Sequence, residues 1–125
     1  MILKVICLHE NANAGFQLMD YSFQNEKIFS IDGRLTCGTL KIGDVFNTLY
    51  NYNFIYDYTS MSYENIELLD ERNILLEIQR ICVYGHFIEE MESGLTARLF
   101  LTGNIEINDL SKYTKESWIE FVVKG

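Results

Sequence analysis

Proline is absent from this 125-residue chain, and apolar runs extend over only a few positions. The short runs exclude a membrane-spanning helix, which needs about 20 consecutive apolar residues. Helical periodicity is also scarce. There is no internal repeat, no low-complexity tract and no composition break that marks a domain boundary. Histidine occurs only at positions 9 and 86, and cysteine only at positions 7, 37 and 82. No two cysteines have a zinc-type spacing. Each lies among apolar residues, so they read as buried reduced thiols of a cytosolic protein. No serine or cysteine stands in a context that marks a nucleophile. The missing proline carries no functional message.

The chain does have the means to build a core. Hydrophobic residues make up 48% and aromatic residues 14%, which argues against disorder and for one compact domain. Met1–Leu8 lacks a basic leader and a small-residue cleavage site. It reads as a first strand and not as a signal peptide.

The net charge of −8 is unevenly spread. Residues 1–43 carry four acids and four bases, and so do residues 93–125. Residues 44–92 carry ten acids against Arg72 and Arg80. Such a segment repels phosphate and offers a steering field to a basic partner. Nucleic-acid binding normally shows the opposite sign.

β-Branched and aromatic runs bounded by Gly, Asn and Asp dominate the pattern. They predict strands at Leu3–Leu8, Gln17–Phe23, Ile28–Ile31, Arg34–Thr36, Val45–Tyr50, Ile74–Tyr84, Ala97–Thr102 and Ile119–Val123. Turns are expected at Asn11–Gly15, Ser93-Gly94 and Thr102–Asn104, with a tight hairpin at Tyr84-Gly85-His86-Phe87. Asp109–Ser117 is polar and has room for one helical turn. Many short strands with frequent turns predict an all-β fold, a small antiparallel β-barrel or a sandwich.

Two segments narrow this further. Ile28–Val45 contains a Gly33-Arg34 strand, then Gly38, then the turn Leu40-Lys41-Ile42-Gly43-Asp44. Gly38 and Gly43 permit positive φ, and Asp44 can accept hydrogen bonds from the turn backbone. Ile78–Gly103 contains a strand, a hairpin, a Glu-rich turn ending at Gly94 and an apolar strand ending at Gly103. In this order the two segments resemble the second domain of translational GTPases of the elongation-factor Tu type. They cover about a third of the chain. The resemblance implies a domain-2-like antiparallel β-barrel. It implies no GTPase activity, because the Gly-x-x-x-x-Gly-Lys-Ser/Thr phosphate loop is missing.

Between Asp44 and Ile78 the chain exceeds the family pattern. The extra stretch, Asn51–Asn73, holds Tyr52, Phe54, Tyr56, Asp57, Tyr58, Tyr63, Glu64, Glu67, Asp70 and Glu71. Tyrosine-rich acidic surface suits a protein interface. Alternation of Tyr52, Phe54, Tyr56 and Tyr58 with polar residues, except at Ile55, equally suits an amphipathic strand packed on the barrel. His9 and His86 read as solvated turn residues. Glu89, Glu90 and Glu92 form a carboxylate cluster that reads as solvated surface before it reads as an acid/base pair. Trp118 reads as core.

The combined expectation is a non-enzymatic, cytoplasmic, acidic protein-binding module without cofactor or metal. Its sharpest form is an immunity-type inhibitor that neutralises a basic toxin. Tyr52, Tyr56, Asp57, Tyr58, Glu64, Glu67, Asp70, Glu71, Glu89, Glu90 and Glu92 are the candidate contact residues. The alternative is a translation-factor-like accessory that binds RNA or a ribosomal component through a basic face of Lys4, Lys27, Arg34 and Lys41. An enzyme or carrier using the barrel mouth has no motif behind it. The pure protein should neither bind nor hydrolyse GTP, and metal-dependent GTP turnover in a phosphate-release assay would contradict this reading.

Overall fold

The computed structural model describes residues 11–23, 28–57, 59, 62–103 and 117–125. These form eight strands: β1 (Ala12–Phe23), β2 (Ile28–Lys41), β3 (Val45–Asp57), β4 (Ser62–Val83), β5 (His86–Ile88), β6 (Glu90–Glu92), β7 (Thr96–Gly103) and β8 (Ser117–Lys124). Every pairing is antiparallel. The sheet runs β1-β8-β3-β4-β7-β2, and β2 pairs back to β1, so six strands close into a ring. β5 hangs on β4 and β6 on β2. This is the all-β, barrel-like architecture expected from the glycine-punctuated strands.

Several expected boundaries shift. Ile28–Ile31 and Arg34–Thr36 merge into β2, because Gly33 and Gly38 are held inside the ladder and do not end it. A side chain at Gly38 would collide with the Asn13 carbonyl of β1, and its φ is +73°. Only glycine meets both demands. The turn expected at Asn11–Gly15 shrinks to Asn11, at φ 63°, and Ala12–Gly15 joins β1. β7 continues through Gly103. The expected strand Leu3–Leu8 and most of the polar Asp109–Ser117 segment lie outside the described residues.

Two of the predicted turns are built as expected. Gly43 has φ +95°, and the Asp44 carboxylate accepts from the Lys41 amide at 3.0 Å. Tyr84 and Gly85 form a two-residue loop between Val83 and His86, both at positive φ.

Alternation along the strands sends one set of side chains inward. Phe16, Phe46 and Phe121 meet in the ring, with centroids 6.4 and 5.6 Å apart on either side of Phe46. Ile31, Leu35, Leu40, Leu49, Leu76, Ile78, Ile81, Leu99 and Leu101 surround them, all fully buried. Burial of this kind is the main source of the fold's stability. Removing one aromatic leaves a cavity that the closed ring cannot collapse around. Phe121→Ala should therefore cost about 3–5 kcal/mol, read as a lower urea midpoint without loss of the strand signal in circular dichroism.

Candidate functional site

The stretch 51–73 adds no new strand. It lengthens β3 and β4 into a long hairpin, paired from Val45↔Glu77 to Asp57↔Ser62. Register shifts at Phe46/Thr48, Asn51/Tyr52 and Asn53/Ile55 interrupt the ladder, and such bulges bend and twist a strand. β8 accompanies β3 only as far as Asn53↔Ser117. Asn51–Asp57 is thus part of β3.

At the root of the hairpin the tyrosines are structural. Tyr52 is buried and stacks on Tyr50 at 5.7 Å. Both pack on Val122, with Ala12 and Trp118 at the margin. This second cluster lies on the outer face of the sheet, opposite the main core. Tyr52 is therefore covered, not offered to a partner, and Trp118 belongs to this outer cluster and not to the ring interior. Lys124 donates to the Tyr50 hydroxyl at 2.9 Å and sits 3.5 Å from a Glu71 carboxylate oxygen. Its pKa is raised, first by the Tyr50 bond and then by Coulomb attraction to Tyr50 and Glu71.

The other candidates fall into two groups. Asp57, Glu64, Glu67 and Tyr56 are on the hairpin strands, in the register Ile55↔Glu64, Asn53↔Glu67 and Tyr56↔Tyr63. Asp70 is half-buried opposite Asn51, and Glu71 is exposed opposite Tyr50. Leu68 and Leu69, between these acids, are about half exposed, at 48% and 51%. Tyr58 lies outside the described residues. Glu89, Glu90 and Glu92 are exposed around buried Met91 at the β6 edge. β6 pairs with Thr39–Lys41, beside the turn whose Gly43 amide bonds Ile78. That is the root end of the hairpin. Val45 to Asp57 spans roughly 40 Å of strand at about 3.3 Å per residue. The structure therefore separates the hairpin acids from the β6 acids.

Two features escaped the sequence reading. Cys37 is buried and disulfide-bonded, while Cys82 is a half-buried free thiol. The expectation of three reduced thiols thus fails at Cys37. Glu120 is 8% exposed on β8, opposite Gln17 and Tyr50. A side chain at Gly15 would collide with its carboxylate and meet the Cys37 sulfur at 3.1 Å. The carboxyl therefore lies against the β1 backbone beside that sulfur. Burial pushes its pKa up to about 7. Nothing in Trp118-Ile119-Glu120-Phe121-Val122 signals this, since one outward acid on a strand normally faces water. Among the described residues, no cluster of His, Cys, Asp and Glu could hold a metal ion.

No protein-family model matches the chain, and no curated protein matches it. Among solved structures it is similar to translation elongation factor SelB from Methanococcus maripaludis, in the apo form. The match has a TM-score of 0.54 at 11% identity and covers 86% of this chain. The fold is translation-factor-like. This agrees with a domain-2-like barrel, and at such identity the likeness is one of fold alone. The chain spans 18% of the SelB chain. Among the described residues no helix is long and apolar enough to cross a membrane, which says nothing about strands.

Glu120 yields a pH prediction. Its folded pKa lies above the unfolded value of 4.5. The folded state thus holds the proton more tightly, and this stabilising term is full below pH 4.5 and lost as pH rises through about 7. The term is on the order of 3 kcal/mol. Glu120→Gln should raise stability at pH 8 and flatten its decline between pH 4.5 and 7. Urea titrations of both proteins at pH 5 and pH 8 measure it.

Proposed function

We propose that the chain is a non-enzymatic, acidic protein-binding module, in its sharpest form an immunity-type inhibitor that neutralises a basic toxin. The observation behind this is the concentration of Glu64, Glu67, Asp70 and Glu71 within eight residues of β4, with exposed Leu68 and Leu69 between them. Carboxylates steer a cationic partner during encounter, and adjacent apolar side chains hold it once docked. If the partner is a nuclease, the carboxylates of the hairpin stand in for substrate phosphates. Rigid backbone pairing along the hairpin lowers the ordering cost of binding. The β6 acids lie at the other end of the hairpin and belong to the steering field rather than the contact.

The proposal includes a cytoplasmic location. The disulfide at Cys37 pulls against that part, because cytosolic thiols are kept reduced. Counting alkylatable thiols in protein from its source cells decides between the two.

The translation-factor-like fold supports a second reading, an accessory that binds RNA or a ribosomal component. Of its required basic face, Arg34 is exposed opposite Thr96 and Lys41 is opposite Glu90, while Lys4 and Lys27 lie outside the described residues. Sub-micromolar binding to tRNA at physiological salt would put this reading first.

Charge reversal at Glu67, Asp70 and Glu71 together tests the main proposal. With the captured natural partner, association should slow by about tenfold or more at low salt and by less as salt screens the field. Stopped-flow association at several salt concentrations reads this directly. An unchanged rate and salt slope would reduce the hairpin to a solvated edge.

A further inference from the structure

The acidic hairpin has a counterpart of opposite character on the ring. Cross-strand register puts Asp32, Arg98, Cys82 and Phe87 in one row across β2, β7, β4 and β5. Ser30, Phe100 and Arg80 form the next row, and Arg34 stands opposite Thr96. Ala97, Leu99 and Leu101 point into the core, so these rows face outward. Three of the chain's four arginines therefore share one face. Arg98 makes a two-pronged pair with Asp32, at 2.7 and 3.0 Å. Its pKa is raised by that hydrogen bond first. With Asp32 engaged in this way, Arg34 and Arg80 are left exposed at either side.

Aromatic rings fill the same face. Arg80 lies over the Phe87 ring, 5.5 Å from its centroid, and Phe87 meets Phe100 at 6.3 Å. Phe87 is 62% exposed and Tyr84 85%. A shallow groove of about 390 Å³ opens beside Tyr84, lined also by Asp32, Cys82, Thr96 and Arg98.

Tyr84 is the second, independent sign of use. It occupies the first position of a two-residue hairpin loop at φ 50°, with Gly85 at φ 80°. That position favours Asn, Asp or Gly, and a bulky residue there is strained. The chain thus holds a large ring in water at a site where turn chemistry opposes it. Strain of this kind collects at binding sites.

We infer that this arginine–aromatic face of β4, β5 and β7 docks an acidic segment of a partner protein, one with carboxylates beside an apolar or aromatic side chain. The carboxylates pair with Arg34 and Arg80, and the apolar side chain enters the groove between Tyr84 and Arg98. Arg, Tyr and Phe are the residue types that concentrate binding energy at interface centres. Charge complementarity selects protein over nucleic acid. A phosphate backbone running past three arginines would meet Asp20 and Glu77 at the margins of the face, on a chain of net charge −8. A short acidic segment avoids them. This face is distinct from the acidic hairpin, so each can fail without the other.

The test is selection of displayed random 12-residue peptides on the full-length chain. Selected peptides should combine Asp or Glu with Phe, Tyr or Leu. A synthetic copy should bind with an affinity that falls as salt rises. Binding should weaken at least tenfold in Arg34→Glu/Arg80→Glu and in Phe87→Ala. Tyr84→Asn separates binding from structure, since it should weaken binding while raising the urea midpoint. A selection without an acidic consensus, or binding that these variants leave unchanged, overturns the inference. Arginine-dependent binding of a 12-nucleotide oligouridine tighter than that of the peptide also overturns it, in favour of nucleic acid.

Discussion

β1 pairs on both sides, with β2 along one edge and β8 along the other, and the rest of the molecule depends on that double pairing. Without it the sheet would be open and the Phe16–Phe46–Phe121 cluster would face water. With it, the six main strands enclose one apolar interior and expose fewer unpaired edges. Closure needs the β1 and β2 backbones to approach closely. At Gly33 a side chain would run into the Gln17 carbonyl and the Phe16 ring, and at Gly38 into the Asn13 carbonyl. The seam is therefore written in glycine, which has no Cβ to hold the backbones apart.

Once the inside is filled, the outside of the ring divides by what covers it. Around Tyr50, Tyr52, Val122 and Glu120 the outer surface is buried. A carboxyl there is expensive to ionise, which explains its raised pKa better than any neighbouring charge. Across β2, β7 and β4 the outer face is open, and arginines and aromatics stand on it. β3 and β4 run on past the end of β8 as a hairpin, and four acids are concentrated along β4. Net charge of −8 thus describes no single surface. It sums an acid-rich stretch of β4, the acids of β6 and an arginine-bearing wall.

This separation follows from strand geometry. Side chains on one strand alternate between faces, while residues opposite each other on neighbouring strands share a face. Arg98 meets Asp32 and Cys82 meets Phe87 only because four strands lie in a fixed register. The hairpin acids cluster more simply, since they are near neighbours on β4.

The residue sequence by itself determined the elements with local causes. Strand-type composition and frequent turns fixed the all-β class. Gly43 with Asp44, and Tyr84-Gly85, mark turns through backbone freedom and short-range hydrogen bonds, and both stand where they were expected. The concentration of acid in residues 44–92 was also legible, because charge adds up along the chain without knowledge of the fold. Tertiary structure alone decided the rest. It merged two expected strands into β2, because glycines at a seam look like turn glycines until the partner strand is in place. It buried Tyr52 and Glu120, whose alternation pattern suits an exposed face as well as a covered one. It divided the candidate acids between hairpin and β6, and it brought Arg34, Arg80 and Arg98 to one wall. Those outcomes depend on which strands pair and in what register, and pairing is set by long-range closure that no local pattern encodes.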